Sequence, residues 1–90
     1  MDKQLKIMIF GKVQGVYFRQ TTKVKADDLN IKGVVINEDD GSVIAFVRGS
    51  DEQLQEFVKY CKKGPEMADV SNVIIIEEEL QNFSDFSINR

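Results

Sequence analysis

The fold is decided by one stretch, residues 34–47, which reads VVINEDDGSVIAFV. Two runs rich in β-branched residues, 34–36 and 43–47, flank the pair Asp40-Gly41. Such a pair between two apolar runs is a strong signal for a hairpin turn. We therefore expect two antiparallel strands joined by a turn, with the rest of the chain arranged around this hairpin.

A helix is predicted directly after the hairpin. Ser50 and Gln53 stand three residues apart, which is the spacing of a capping box, and Gly64 stands where the helix would end. The apolar residues between them recur at i, i+3, i+4 and i+7, namely Leu54, Phe57, Val58 and Cys61. This face is expected to pack on the sheet, so Cys61 is predicted to be a buried thiol rather than a nucleophile.

The chain before the hairpin predicts a strand, a glycine loop and another helix. Residues 5–13 are apolar on both faces, as in an interior strand, and Gly11 and Gly15 interrupt this pattern. Residues 18–30 predict a helix, which Asn30 would end in the left-handed conformation. One face of this helix carries an apolar stripe of Phe18, Thr22, Ala26 and Leu29.

Two strands are predicted after the second helix. The first is contained in residues 70–79, and the other is a short strand near residues 83–88. The resulting order, β-α-β-β-α-β with an added strand, is that of a ferredoxin-like α+β fold, in which two helices pack on one face of a mainly antiparallel sheet. We expect one domain over residues 1–90. Its core is expected to include all six phenylalanines, namely Phe10, Phe18, Phe46, Phe57, Phe83 and Phe86.

The composition excludes several classes of protein and site. The 90 residues include 12 basic and 15 acidic side chains, a net charge of −3, which disfavours general nucleic-acid binding. Without histidine, and with a single cysteine, the chain has no Ser-His-Asp triad, no Cys-His dyad, no HExxH zinc site and no internal disulfide. No apolar run approaches the roughly 20 residues of a membrane span, and the first four residues do not resemble a signal peptide. A cytoplasmic protein is expected.

The segment Gly11–Arg19, between the first strand and the first helix, is the most informative for function. A glycine turn at this place can direct backbone N–H groups toward one point, and the start of the helix adds further donors and the positive end of its dipole. Arg19 lies one turn into the helix and can pair with two oxygens of a phosphate. The pattern is compatible with a phosphate or carboxylate cradle, although by spacing alone a plain structural turn is the commoner explanation.

The residues of this segment resemble a known signature. GKVQGVYFR at 11–19 is similar to the pattern G-x-V-Q-G-V-x-F-R of the acylphosphatases. Residues 33–43 resemble the second signature of that family, a glycine, an apolar pair and an asparagine ahead of a D-G turn. The resemblance covers essentially the whole chain. Two residues depart from the family pattern: Val34 stands where the family often has tryptophan, and Asn30 stands where it often has glycine. Neither is one of the residues expected in the site, so both bear on stability more than on activity.

The resemblance implies a hydrolase for carboxyl–phosphate bonds, acting on small acyl phosphates of the acetyl phosphate, carbamoyl phosphate or 1,3-bisphosphoglycerate type. Arg19 is expected to hold the phosphate and Asn37 to position the attacking water. The loop backbone is expected to complete the phosphate cradle, through Val13, Gln14, Gly15, Val16, Tyr17 and Phe18. Inorganic phosphate would be a product. No metal and no cofactor are expected, and a monomer is the default for a small acidic domain.

Two other functions have some support in the sequence. The segment Ala45-Phe46-Val47 echoes part of an RNA-binding motif, but its neighbours Ile44 and Gly49 lack the required aromatic rings. A non-catalytic or assembly-linked domain is the other alternative, because similar domains occur at the head of larger carbamoyl-transferring hydrogenase maturation proteins. The presence of both Arg19 and Asn37, and the absence of zinc-finger cysteines after the domain, favour a free-standing enzyme.

Overall fold

The computed structural model describes residues 2–89, which form two helices and five strands. In chain order the elements are β1 Asp2–Lys12, α1 Phe18–Asp28, β2 Lys32–Asn37, β3 Val43–Ser50, α2 Asp51–Lys63, β4 Asp69–Glu78 and β5 Phe86–Asn89. This order confirms the predicted ferredoxin-like α+β fold with an additional C-terminal strand.

The five strands of residues 2–89 form one sheet in the order β4-β1-β3-β2-β5. Every neighbouring pair is antiparallel except β2 and β5, which run parallel with Gly33 opposite Phe86 and Ile36 opposite Asn89. The parallel pairing places the end of β5 beside the end of β2, and Asn37 is the last residue of β2. The ends of β2 and β5 therefore lie side by side at one end of the sheet.

The hydrophobic core lies between the helices and one face of the sheet. Alternate residues of the inner strands face it and are fully buried, namely Ile7, Ile9, Val35, Val43, Ala45 and Val47. The helices contribute Phe18 and Ala26 from α1 and Leu54, Phe57 and Cys61 from α2. The predicted helical faces are therefore confirmed, although Leu29 and Val58 are only partly buried.

The prediction that all six phenylalanines belong to the core was wrong for three of them. Phe18, Phe57 and Phe86 are buried, whereas Phe10, Phe46 and Phe83 are only partly buried. Phe46 lies on the other face of the sheet, directly opposite Val34 in the β2–β3 ladder. The position where the family often has tryptophan therefore lies outside the helix-covered core, so its replacement by Val34 leaves that core intact.

The start of α2 and the end of α1 have the capping residues that the sequence predicts. Ser50 accepts a hydrogen bond from the backbone N–H of Gln53, and the Gln53 side chain accepts one from the backbone N–H of Ser50, so the capping box is complete. Helix α1 ends at Asp28, two residues before the predicted end, and Asn30 adopts the expected positive φ of 57°.

The hairpin turn is wider than a two-residue turn, since the backbone N–H of Glu38 bonds to the carbonyl of Ser42.

Gly33 lies against the backbone of β3, and this predicts a large loss of stability on substitution. Gly33 has φ 150°, and a Cβ there would lie 1.8 Å from the carbonyl oxygen of Phe46. We expect Gly33→Ala to lower the free energy of unfolding by about 2 kcal/mol or more in chemical denaturation, because β3 would have to move. Gly41→Ala is the matched control, since its φ is also positive, 94°, but its Cβ would meet no atom of the described residues within 4 Å. Equal losses in the two variants would contradict this explanation.

Cys61 is predicted to be inert while the protein is folded. Its side chain is fully buried in the core, and burial raises the pKa of the thiol well above its ordinary value, so thiolate is scarce. We expect a chromogenic disulfide reagent to leave the native protein unlabelled and to react with one thiol in guanidinium chloride. Labelling as fast in native buffer as in denaturant would show that Cys61 is accessible.

Candidate functional site

The candidate site lies at one end of the sheet, where three segments meet. These segments are the loop between β1 and α1, the end of β2 and the end of β5. A cleft of about 290 Å³ opens there. Its walls are formed by Val13, Gln14, Gly15, Tyr17, Phe18, Arg19, Gln20 and Asn37. The fold thus brings both signature segments to a single cleft of a size suited to a small ligand.

The loop is anchored in the core at three points, since the side chains of Val13, Val16 and Phe18 are buried. Between these anchors the backbone turns through two left-handed residues, Gly15 with φ 73° and Tyr17 with φ 62°. Left-handed residues within a turn let successive N–H groups converge on one point, which makes an anion-binding concavity. Because the buried side chains point into the core, the loop can contribute mainly its backbone to the cleft.

The N-terminus of α1 adds to this concavity. Tyr17 is its N-cap residue, and within residues 2–89 its side chain makes no capping hydrogen bond, nor is there an acidic residue in the first turn. Helix α2, by contrast, has a complete capping box and two acidic residues in its first turn. The first N–H groups of α1 therefore have no capping side chain, and they can bind an anion.

Arg19 lies in the first turn of α1 and is half-buried. Its Nη1 donates a hydrogen bond of 3.0 Å to the backbone carbonyl of Asn89, at the end of β5. Asn89 is paired with Ile36, the residue before Asn37. The guanidinium is therefore held next to the strand end that carries Asn37. It keeps further N–H donors for a ligand, because a guanidinium has five.

Asn37 is the last residue of β2 and is paired with Val43. Its Oδ1 atom is buried and has no hydrogen-bond partner among residues 2–89. A buried polar atom without a partner is costly, and such atoms often mark places where a water or a ligand binds. Asn37 itself lines the cleft, so its carboxamide lies at the wall of the candidate site.

The structure brings together seven of the eight residues predicted for the site. Val16 does not line the cleft, and its buried side chain leaves it a role through the backbone at most. The Tyr17 side chain is 70% exposed at the rim of the cleft. Sequence reasoning missed two contacts, the anchoring of Arg19 on Asn89 and the side chain of Gln14, which bonds to the β2–β3 turn. No local sequence pattern signals either contact, since each joins distant segments.

A larger cleft, about 450 Å³, lies at the opposite end of the sheet. It is lined in part by Arg48 and Lys32, but both cations are engaged. Arg48 pairs with Asp2 at 3.2 Å and donates to the carbonyl of Gln81, and Lys32 donates to the carbonyl of Ser84. The signature residues lie away from this cleft, so its size does not make it the candidate site.

The acidic run Glu38-Asp39-Asp40 is exposed in the hairpin turn. Ser42 donates two hydrogen bonds to the Asp40 carboxylate, which holds the pKa of Asp40 below its ordinary value. Across residues 2–89, no three histidine, cysteine, aspartate or glutamate side chains are grouped so that they could hold a metal ion. In the same part of the chain, neither helix is long and apolar enough to cross a membrane.

Fold and site together define a small α+β protein with a glycine-containing loop at a cleft, and comparison with known proteins identifies the family. The acylphosphatase family model matches residues 5–88. An acylphosphatase of Thermotoga maritima is 43% identical over 96% of both chains. The chain belongs to the acylphosphatase family, and its enzyme class is accordingly acylphosphatase, a hydrolase.

Solved structures agree with this assignment. The crystal structure of acylphosphatase from Bacillus subtilis superposes with a TM-score of 0.95 and 35% identity over the full length of both chains. Full-length HypF, solved in a phosphate- and nucleotide-bound form, has a TM-score of 0.94 and 28% identity, covering 100% of this chain and 12% of HypF. The same fold therefore also occurs as a small part of a much larger protein.

Proposed function

We propose that the protein hydrolyses the carboxyl–phosphate bond of small acyl phosphates, in the manner that its family name implies. Arg19 and the loop backbone hold the phosphate, and Asn37 positions the attacking water. The observation that carries this proposal is that Arg19 and Asn37, which are distant in the sequence, line one cleft beside the uncapped start of α1. The substrates are of the acetyl phosphate, carbamoyl phosphate or 1,3-bisphosphoglycerate type.

The phosphate is held by charge and by directed N–H groups. One nitrogen of Arg19 is fixed on the Asn89 carbonyl, and the remaining donors can pair with two phosphate oxygens. The backbone around Gly15 and the first turn of α1 provide donors on another side of the phosphate. These donors are in place before the reaction, so they stabilise the charge of the transition state without rearranging.

Asn37 orients the water rather than deprotonating it. An amide oxygen accepts a hydrogen bond but is not a base at neutral pH. With the water held by the Asn37 side chain, the water oxygen can approach the phosphorus opposite the acyl oxygen, the in-line arrangement that phosphoryl transfer needs. The sequence contains no histidine, so this role does not fall to an imidazole.

The chemical step is a displacement at phosphorus. The bond between the water oxygen and phosphorus forms while the bond between phosphorus and the acyl oxygen breaks, and the carboxylate leaves with the electron pair. The proton of the water passes to an oxygen of the phosphate, which gives inorganic phosphate. A carboxylate is a good leaving group, so the step does not depend on a general acid. The work of the protein is therefore positioning and charge stabilisation.

Hydrolysis of benzoyl phosphate in the presence of EDTA tests this proposal directly. We expect turnover well above spontaneous hydrolysis and unaffected by the chelator, because Arg19 and backbone N–H groups supply the positive charge. A folded protein without turnover would contradict the proposal. A monomeric state, a cytoplasmic location and the absence of metal, cofactor, nucleic-acid and membrane partners stay predictions from the sequence.

A further inference from the structure

The side chain of Gln14 connects the two segments that form the site. Its Nε2 donates hydrogen bonds of 2.7 Å to the carbonyl oxygen of Glu38 and 2.8 Å to that of Ser42. A carboxamide has two N–H donors, so both are used in these contacts. Gln14 belongs to the loop between β1 and α1, whereas Glu38 and Ser42 belong to the turn between β2 and β3.

The two carbonyls that accept from Gln14 belong to the residue pair that closes the hairpin. The carbonyl of Ser42 also accepts from the backbone N–H of Glu38 at 2.9 Å, and that of Glu38 accepts from Gly41 at 3.1 Å. The Asp40 carboxylate fixes the other side of the turn by accepting from the N–H of Ser42 at 2.9 Å and from its hydroxyl at 2.6 Å. The turn is therefore internally well bonded, and Asn37 immediately precedes it.

The other end of the connection is fixed as well. Val13, the residue before Gln14, is buried in the core, and so is Val16 two residues after it. A side chain between such anchors has a fixed origin, and its two hydrogen bonds then fix its end. The contact thus joins two well-defined segments, one proposed to hold the phosphate and the other carrying Asn37.

We propose that Gln14 is a positioning residue, whose side chain sets the distance between the phosphate-holding loop and Asn37. This inference rests on the proposed function, because it assigns Gln14 a role only through the phosphate and the water. In-line attack requires the water and the phosphorus to be aligned at a distance of about 3 Å, and a displacement of about 1 Å can cost roughly 100-fold in rate. If Gln14 sets the distance between the water and the phosphorus, its loss lowers kcat more than it weakens the binding of phosphate.

The test is Gln14→Met, which keeps the length of the side chain but removes both N–H donors. We expect kcat for benzoyl phosphate to fall by about 10- to 100-fold, while the dissociation constant of inorganic phosphate and the melting temperature stay close to those of the wild type. Gln55→Met is the matched control. Gln55 is exposed on α2, and its amide donates one hydrogen bond to Asp51, so its loss should leave the kinetics unchanged.

A double-mutant cycle separates positioning from a general structural effect. If Gln14 acts through Asn37, adding Gln14→Met to Asn37→Ala causes little further loss of kcat, because there is no longer an amide to position. If the two losses multiply, or if phosphate affinity falls together with kcat in Gln14→Met, the inference is overturned. Gln14→Ala serves as a second truncation if the methionine variant does not fold.

The outcomes also distinguish this inference from the proposed function on which it rests. Full activity of Gln14→Met, with activity lost in Asn37→Ala, overturns the positioning role and leaves the proposed function in place. An inactive wild type, or full activity in Asn37→Ala, overturns the proposed function itself.

Discussion

Arg19→Ala is expected to lower kcat/KM for benzoyl phosphate by about 10²- to 10³-fold or more. Among residues 2–89, the guanidinium is the only charged group that lines the cleft, and its planar fork can pair with two phosphate oxygens. Its removal should weaken the binding of inorganic phosphate as well, because the same donors hold the substrate and the product. Steady-state kinetics and phosphate titration on the same preparations measure both effects.

Folding should be little affected by this change. The contact of Arg19 with the Asn89 carbonyl is exposed, so its loss costs little stability. Arg48→Ala is the matched control, because it removes the same charge at the opposite end of the sheet. Arg19→Lys keeps the charge but not the planar fork, and we expect an intermediate rate. Equal activity in Arg19→Ala and Arg48→Ala would show that the phosphate is held elsewhere.

Asn37→Ala is expected to lower kcat by about 10²- to 10³-fold, while the affinity for inorganic phosphate is retained. The physical reason is the division of tasks at the cleft, in which Arg19 and the loop hold the phosphate and Asn37 holds only the water. Stability should be unchanged or slightly raised, since Oδ1 has no partner within residues 2–89 and alanine removes an unsatisfied buried atom. Kinetics, phosphate titration and thermal unfolding together measure these three quantities.

Two further variants sharpen this second prediction. Asn72→Ala removes an exposed asparagine of β4 that is not among the residues lining the cleft, and it should leave kcat unchanged. Asn37→Asp keeps the shape but places a negative charge beside the phosphate, so we expect weaker phosphate binding in addition to the loss of kcat. If Asn37→Ala lost phosphate affinity as fully as Arg19→Ala, the division of tasks between the two residues would be wrong.

Local patterns in the sequence predict the elements of this fold well. The capping box at Ser50 and Gln53, the left-handed Asn30 and the hairpin around Gly41 all depend on residues close together in the chain. Each has a local physical cause, such as a capping hydrogen bond or a positive φ. Such features can be read from a short window, and the order of the elements then indicates the fold class.

Contacts across the sheet were harder to predict. Phe10 and Phe46 are large apolar residues of the kind that fill a core. The pleat of the sheet directs their side chains away from the helices, so they stay partly exposed. Which face an apolar residue occupies depends on strand register, and register is set by distant partners. The parallel pairing of β2 with β5, which brings Asn89 to Arg19, likewise depends on the whole sheet.

The candidate site likewise combines features that local sequence predicts with contacts between distant segments that it does not. Its residue types were predictable, because the signature places Arg19 and Asn37 in order along the chain and the fold brings them together. The bonds that fix their geometry were not, since Gln14 reaches the turn and Arg19 reaches β5 over 24 to 70 residues of sequence. Side chains that position a site leave little mark on local periodicity, and only the three-dimensional arrangement reveals them.

The central claim is that water held at Asn37 attacks phosphorus on a phosphate held by Arg19. Turnover of benzoyl phosphate in water labelled with oxygen-18, followed by mass spectrometry of both products, tests this claim most directly. We predict that enzymatic turnover places the label in inorganic phosphate and leaves benzoate unlabelled, because the bond between phosphorus and the acyl oxygen breaks. Label in benzoate would mean that water attacks the carbonyl carbon, and the roles assigned to Arg19 and Asn37 would then be wrong.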